Sequence, residues 1–543
     1  MNLIIFEKTG NFWIDNGIVG LYKVLKELER KEMLLHPCDI KLHSDRLTIN
    51  LKSEEEEPDS LTKALNQAKS EVVKNYLKQT DGAGWIYKDY EFEVYQKTDF
   101  KMHLKPFFTG KTPSTEGALL VPEAKDAELG GKGHRMTDEE YQKFLLFKET
   151  NSPVIINDKR VPLTGKGFLN SPPRYEIGEE FSEEFEKEGK KRCLFSGKFY
   201  QKAGVITGMD YPFLTGKSGE LNFASFLTEK PSISSRYAFI ALFSFYNLNY
   251  LIQDNLKNYF MLYDGNLEEL SNFYNVIKDI RLVTRQDYCS FETEITGTQY
   301  ENESLFNFLL SVFKRVQDKI DHDKYKGILF SKSVFTLSND GNIFREVKEY
   351  SSITELFNLF DTYAETEGDN DERNHLEAFI NFIRYFNKRL DGGKCDTTWR
   401  NRICSDILSF RSIHKTLEWF MGEVKLKEES ASIFDLDNII KIYNNKTQEK
   451  MDEKMIELCR NIGYSIGKYC SEKQDKGILF SIRNAKSKIE FLNVLAETQF
   501  RTQVSYSENF FKMLPDKEEW EEYKALVSIF AMNRFLFKEK KQS

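Results

Sequence analysis

Beyond Ser352 the sequence becomes almost continuously helical in pattern, and glycine and proline grow sparse. Apolar residues recur at helical spacing over Thr354–Ala364, His375–Leu390, Thr397–Phe420, Ile433–Tyr443, Lys450–Cys470, Ile478–Phe500 and Trp520–Phe537. The links between them are mostly short, the acidic loop Glu365–Glu372 being the main exception. Such segments cannot bury their apolar stripes alone, so they pack into a bundle. Before Tyr350 short apolar runs alternate with long glycine-bearing loops. The reading is α+β: a mixed α/β N-terminal domain with glycine-rich loops, residues 1–350, followed by an all-helical C-terminal bundle, residues 351–543. A length of 543 residues, more than one core usually serves, agrees with several units.

In the N-terminal part, Leu3–Phe6 predicts a strand leading into a helix over Asn11–Glu29, with Asp15 and Asn16 as candidate caps. Gly17 and Gly20 mark a close backbone approach, either to a phosphate at the helix N-terminus or to another element of the fold. Without the full glycine fingerprint, and with no nucleotide chemistry elsewhere, close packing against the strand is the preferred reading. A hairpin is expected over Ile40–Leu42 and Leu47–Leu51, a helix over Leu61–Lys78, and aromatic strands over Trp85–Tyr87 and Tyr90–Tyr95. Tyr237–Met261 and Leu267–Asp279 read as helices, Ile280–Thr284 and Phe291–Ile295 as strands, and Ser304–His322 as an amphipathic helix. Gly327–Leu337 and Asn342–Tyr350 form a hairpin around Ser338–Gly341.

Several functions lack their chemistry. Gly-Lys-Thr at 110–112 and Gly-Lys-Ser at 216–218 invite a P-loop reading, but the glycine needed five residues earlier is Lys105 or Tyr211. Asp321-His322-Asp323 is better read as a polar helix terminus than as a metal site, since the seven histidines are scattered. His36 and Cys38 lack matching ligands for zinc. No catalytic residue, cofactor or metal is expected. The seven cysteines form no CxxC, a pattern suited to a reducing cytoplasm. The segment MNLIIFEKTG does not read as a signal peptide. Tyr237–Ile252 reads as a buried helix rather than a membrane span.

Binding chemistry is present. Thr-Gly-Lys occurs three times, at Thr109–Lys111, Thr164–Lys166 and Thr215–Lys217. As loops these offer backbone N–H groups, hydroxyls and a cation together, the donors that hold phosphates; each alone also reads as ordinary turn chemistry. Asn170, Arg174 and Asn222, with Phe168, Tyr175 and Phe223, are side-chain types that read or stack on bases. A second basic cluster, Arg384, Lys388, Arg389, Lys394, Arg400 and Arg402 with Arg411 and Lys415, opens the helical half. Arg384 and Lys388 are expected on one helix face. Two readings of that cluster stand: a stripe tracking a single strand, or a solvated face. The net charge of −8 argues against a stand-alone nucleic-acid binder, though not against local patches in a larger assembly.

These features resemble those of a known family. Trp13-Ile14-Asp15-Asn16-Gly17-Ile18-Val19-Gly20, followed by a leucine-bearing helix, and the order of α/β part then helical bundle, resemble the large subunit of a type I CRISPR Cascade complex, the "Cas eight" family, nearest to its subtype I-B-like members. The chain departs at Arg192–Tyr200, RCLFSGKFY. The family often carries a cysteine-rich zinc motif in mid-chain, and here Ser196 stands where a second cysteine would.

The resemblance implies a non-catalytic cytoplasmic protein that binds CRISPR RNA and target DNA, recognises a PAM in the duplex and promotes unwinding and R-loop formation in antiviral defence. Guide pairing supplies most of the sequence specificity. Implied partners are a Cas-five-type subunit, a Cas-seven-type backbone, small subunits, and a helicase-nuclease recruited after R-loop formation, with no membrane. The C-terminal bundle resembles the family's small subunit, which some relatives also make from an internal start; Met421 and Met451 stand near such starts. From Met421 onward 21 basic and 20 acidic side chains leave net +1, so the preceding part carries −9. On this reading Lys111, Lys166 and Lys217 neutralise phosphates near the PAM, Asn170, Arg174 and Asn222 read a groove, and Arg384, Lys388, Arg389, Arg400 and Arg402 guide a separated strand. The alternatives are a metal-dependent nuclease using Asp321, His322 and Asp323, and a protein-interaction scaffold without nucleic-acid contact.

Overall fold

A computed structural model of the chain describes residues 3–52, 60–88, 91–102, 119–120, 134–135, 137–156, 159–161, 163–166, 189–201, 203–206, 211, 231–253, 256–277, 290–317, 332–339, 344–365, 375–428, 430–447, 451–515 and 519–537. The fold is α+β, with strands and helices mixed in the N-terminal part and a helical C-terminal part.

Leu3–Glu7, Arg46–Leu51 and Cys38–Leu42 form an antiparallel sheet in that order, with Leu47 and Ile49 at 0 % exposure on its covered face. The first helix, Phe12–Arg30, buries Trp13, Ile14, Ile18, Leu21 and Leu25. Its cap is Asn11, whose side chain accepts from the Trp13 and Ile14 N–H groups. Asp15 and Asn16, the expected caps, are inside the helix and buried. The Asp15 carboxylate accepts from Thr9 N, Thr9 Oγ1, Gly10 N and the Tyr263 hydroxyl. Asn16 Nδ2 donates to the Phe12 and Leu262 carbonyls. Gly17 and Gly20 are close-packing positions, and their neighbour is the helix Ser235–Phe243 rather than a strand. A Cβ would lie 2.3 Å from the Ile240 carbonyl oxygen at Gly17, and 2.2 Å from that of Phe243 at Gly20.

A long hairpin, Leu77–Lys88 with Glu91–Met102, carries Leu163–Lys166 as a parallel third strand. The helix Asp138–Asn151 packs beside it, with Phe92 against Phe144 and Phe147. Tyr237–Met261 is not one helix. Helix Ser235–Phe243 ends in a 3-10 turn at Ser244–Asn247, and the chain continues as strands Asn249–Gln253 and Leu256–Tyr263. A continuous apolar run has no periodicity to separate buried helix from buried strand. These strands join Ser333–Asn339 and Phe344–Tyr350 in a four-stranded antiparallel meander, which includes the expected hairpin. Phe291–Ile295 is irregular instead of a strand, tied by its Ile295 N–H and carbonyl to the Asn307 amide. Ile280–Thr284 lies outside the described residues.

The core continues across the change in pattern near Tyr350. Helix Glu301–Gln317 precedes it; Ile353–Glu365 and His375–Arg384 follow it. Phe306 meets Phe360 edge to face at 5.6 Å, Phe313 meets Phe357 at 5.4 Å, and Tyr363 stacks on Phe379 at 4.2 Å. Each such pair contributes about 0.5–1.5 kcal/mol beyond burial. Two expected helices are each broken in two. Thr397–Phe420 splits into Thr398–Leu408 and His414–Phe420 around Phe410, whose φ is +51°. Ile478–Phe500 splits into Gly477–Asn484 and Lys488–Thr502, where the Ser487 side chain caps the second. Glu453–Lys473 and Trp520–Leu536 run side by side in the same direction, Cys459 meeting Tyr523 at one end and Gly467 meeting Ala531 at the other. Among the described residues no helix is long and apolar enough to cross a membrane.

Candidate nucleic-acid interface

The helix expected over His375–Leu390 ends at Arg384. Phe386 then turns inward and stacks on Phe420 at 3.8 Å. Lys388–Arg389 leaves as a strand pairing antiparallel with Cys395–Asp396. Gly392 and Gly393 close the tip with φ of +74° and +78°, a backbone that glycine adopts without strain. The Leu390 N–H donates to the Lys394 carbonyl at 2.8 Å. Arg384 and Lys388 therefore do not share a helix face. The turn chemistry of Asp391-Gly392-Gly393 and the burial of Phe386 override the helical spacing. Lys388, Arg389 and Lys394 are exposed and form no ion pair among the described residues.

What fixes this ribbon is a residue expected to touch nucleic acid. Arg400 is 2 % exposed. Its Nε donates to Glu303 Oε2 at 2.5 Å, its Nη1 to the Arg384 carbonyl at 3.2 Å and its Nη2 to the Gly297 carbonyl at 2.6 Å. Glu303, fully buried, accepts at its other oxygen from Thr397 Oγ1 at 2.7 Å. The guanidinium is thus spent inside the protein, and Arg400 leaves the proposed stripe. Asn401 Oδ1 accepts from Asn302 N, capping the helix Glu301–Gln317 from another element. Gln299 Nε2 reaches the Cys395 carbonyl at 2.9 Å. Buried charges persist only when paired and hydrogen-bonded, and this pair holds both ends of the ribbon to the α/β part.

The other members of the cluster divide. Arg384 is half-buried. Its Nη1 donates to Asn381 Oδ1 at 2.6 Å and its Nη2 to the Glu294 carbonyl at 2.9 Å, so it braces the stem. Arg402 is exposed, 5.2 Å over the Trp399 ring. Burial raises the Asp406 carboxyl, while its Thr416 hydrogen bond and the nearby Arg411 and Arg402 charges oppose this. Arg402 and Arg411 thus share one side of the Thr398–Leu408 region. Lys425, from the next helical segment, is held below the ordinary lysine value by burial; Glu428 opposes and the Arg389 charge adds to the shift. Two exposed aromatics lie on the neighbouring elements: Tyr385, at the stem, is 66 % exposed, and Trp419, on the helix His414–Phe420 with the Arg483 guanidinium 4.6 Å from its ring centroid, is 46 % exposed. The sequence reading did not single out Tyr385, Trp419 or Lys425. Tyr-Phe and Trp-Phe pairs, in which one ring turns inward and one outward, were the available signal.

Lys166 lies in the strand Leu163–Lys166, opposite Trp85 of Leu77–Lys88, and not in a loop. Backbone pairing with that edge straightens the segment. Lys111, Asn170, Arg174, Lys217 and Asn222 lie outside the described residues, as do Phe168, Tyr175, Phe223 and Asp321-His322-Asp323. Arg192–Tyr200 forms a tight ribbon turn with Cys193 buried and Gly197 at φ +68°. Among the described residues no group of three or more His, Cys, Asp or Glu side chains converges as a metal site would. No family model matches the chain, and no curated protein matches it.

Proposed function

We propose that the chain is a non-catalytic large subunit of a CRISPR RNA-guided surveillance complex, which recognises the PAM in duplex DNA and supports unwinding and R-loop formation. Its partners are CRISPR RNA, target DNA, a Cas-five-type subunit, a Cas-seven-type backbone, small subunits and a helicase-nuclease; it works in the cytoplasm and needs no cofactor. The observation that carries the nucleic-acid part of this reading is the Lys388–Asp396 ribbon. It holds Lys388, Arg389 and Lys394 in water on a stem locked by the buried Arg400–Glu303 pair. A preorganised cationic ribbon loses little side-chain and loop freedom on binding. The resemblance of Trp13-Ile14-Asp15-Asn16-Gly17-Ile18-Val19-Gly20 and of the order of parts supplies the family. The exposed pair Lys388 and Arg389, with Arg402, is assigned to the separated strand, and Lys111 and Lys217 with Asn170, Arg174 and Asn222 to the PAM end; Lys166 belongs to a strand.

The test is co-expression with the other subunits and a guide RNA, followed by target binding over a range of salt. K388E/R389E should assemble normally and weaken target binding, and its log K against log salt slope should fall by about 1.4 for two single-strand phosphate contacts. An unchanged slope would remove the ribbon from the interface.

A further inference from the structure

We infer that the helix Lys488–Thr502 docks on the same helix of a second copy of this chain, antiparallel and about a two-fold axis.

This helix has two apolar faces. Phe491, Leu495 and Thr498 are buried and hold it to the bundle. Phe491 meets Phe510 at 6.5 Å and Trp520 at 6.2 Å, and Thr498 Oγ1 lies 3.0 Å from the Tyr506 hydroxyl. At about 100° per residue, Ile489, Asn493, Ala496 and Phe500 fall within an arc of about 60° on the opposite side. All four are exposed. Ile489 is 72 % exposed and Phe500 87 %, the highest value for a large apolar side chain among the described residues. Apolar residues scattered singly over a surface are ordinary; a stripe at helical spacing marks an interaction face. The start of the helix is fixed. The Ser487 hydroxyl accepts from Glu490 N at 3.2 Å, Glu490 Oε2 accepts from Lys486 N at 2.8 Å, and Lys488 Nζ donates to the Leu514 carbonyl at 3.0 Å. The ridge is therefore preset, and little freedom is lost when it is covered.

The pattern selects the occupant. Successive members of the stripe are 4, 3 and 4 residues apart, the spacing at which two helices interlock side chains along a seam. A large apolar residue stands at each end and a short side chain at each inner position. An antiparallel two-fold pairing thus sets Ile489 on Phe500 of the second copy and Asn493 beside its Ala496, and the reverse contacts follow. That reciprocity is what an isologous interface requires. The short inner side chains let the axes approach to about 8–10 Å. Charge excludes a polyanion. The two cations of the helix are both engaged, Lys488 at the Leu514 carbonyl and Arg501 by Glu497 with Asp475 Oδ2 3.9 Å away. In the antiparallel register Glu490 faces the Glu497–Arg501 pair of the second copy, a neutral neighbour. Two phenylalanines at about 150–250 Å² each, with two isoleucines, keep the buried area below the ~1,200 Å² where stable interfaces begin. The dimer is accordingly a concentration-dependent one, with Kd of about 1–100 μM.

The experiment is sedimentation velocity on the purified full chain from about 0.5 to 300 μM, a range that brackets this Kd. The parent should pass from monomer to dimer. Phe500→Glu and Ile489→Glu should each raise Kd roughly 30-fold or more while leaving the thermal midpoint in place, since both side chains are mostly in water. Oxidative cross-linking fixes the direction. A mixture of Ile489→Cys and Phe500→Cys chains should form linked pairs above the background of the parent. Ile489→Cys alone should not, because its two copies lie about 16 Å apart along the seam. A chain that stays monomeric throughout, or a dimer that survives both glutamate substitutions, would overturn the proposal. Self-linking of Ile489→Cys would overturn the antiparallel register. No nucleic acid enters the test, so its failure leaves the role in a guide-RNA complex standing.

Discussion

Arg400 and Arg402 are two residues apart, and an α-helix turns about 200° between them. One guanidinium therefore enters the core and the other stays in water. The run TWRNR cannot say which, because the choice is made by Glu303, some hundred residues earlier in the chain. Removing one partner of a buried pair leaves an uncompensated charge. Arg400→Ala should accordingly cost about 3–5 kcal/mol, and Arg402→Ala less than about 0.5 kcal/mol, both measured by urea unfolding. Equal effects would contradict the inward placement of Arg400. Glu522 makes a second residue-scale test. Burial alone would raise its carboxyl, but its hydrogen bond to His414, the His414 charge and the Ser412 hydrogen bond outweigh this and hold it below the ordinary carboxylate range. A lowered folded-state value means that ionised Glu522 stabilises the fold. That contribution is complete above the unfolded value, about 4.3, and fades as pH falls through the lower folded one. Glu522→Gln should therefore be less stable than the parent at pH 7, with the gap closing below about pH 4. A gap that widens on acidification would contradict this placement.

Among the elements, what was legible in the sequence and what was not follow one physical line. Helices with one apolar stripe were readable, as in Ile353–Glu365, found within one residue at each end. The continuous apolar run through Leu248–Met261 carried no strand-specific period, which is why it resisted a strand reading. Breaks were hidden where a long-range contact makes them, as at Phe386, whose partner Phe420 is more than thirty residues away. The Asp391-Gly392-Gly393 turn and the Thr137–Glu140 capping box ahead of helix Asp138–Asn151 were visible signals that went unused. Gly17 and Gly20 were correctly read as close-approach positions, but the sequence did not show that a helix sits there. At Gly20 the intruding atom is backbone, which cannot swing aside. Gly20→Ala should cost about 1–3 kcal/mol by overpacking, read from the thermal midpoint; a neutral result would contradict the close packing of Phe12–Arg30 on Ser235–Phe243.

At the scale of the molecule, the α+β order was legible because glycine and proline thin out where the bundle starts. The joint was not. The aromatic core built from Phe306, Phe313, Phe357, Phe360 and Phe379 runs across the change near Tyr350, and the Glu303–Arg400 pair crosses it again. Cleaving between Tyr350 and Ser351 would expose those rings on both pieces, each worth roughly 1.5–3 kcal/mol of burial. Residues 351–543 expressed alone should therefore be less stable than the same residues within the chain, as monitored by amide hydrogen exchange. Equal protection would show that the halves do not depend on each other.

On the proposed reading this continuity matters to the ribbon, because the α/β part anchors its flanks through Glu303 and Arg400. The proposed role stands or falls with guide RNA. The most direct measurement is to purify the tagged chain with its neighbouring proteins from its native cells and sequence the bound nucleic acid. The account predicts a stoichiometric population of short RNAs sharing one 5′ end and carrying varied spacers. Recovery of the chain free of RNA, or with heterogeneous cellular RNA only, would contradict it.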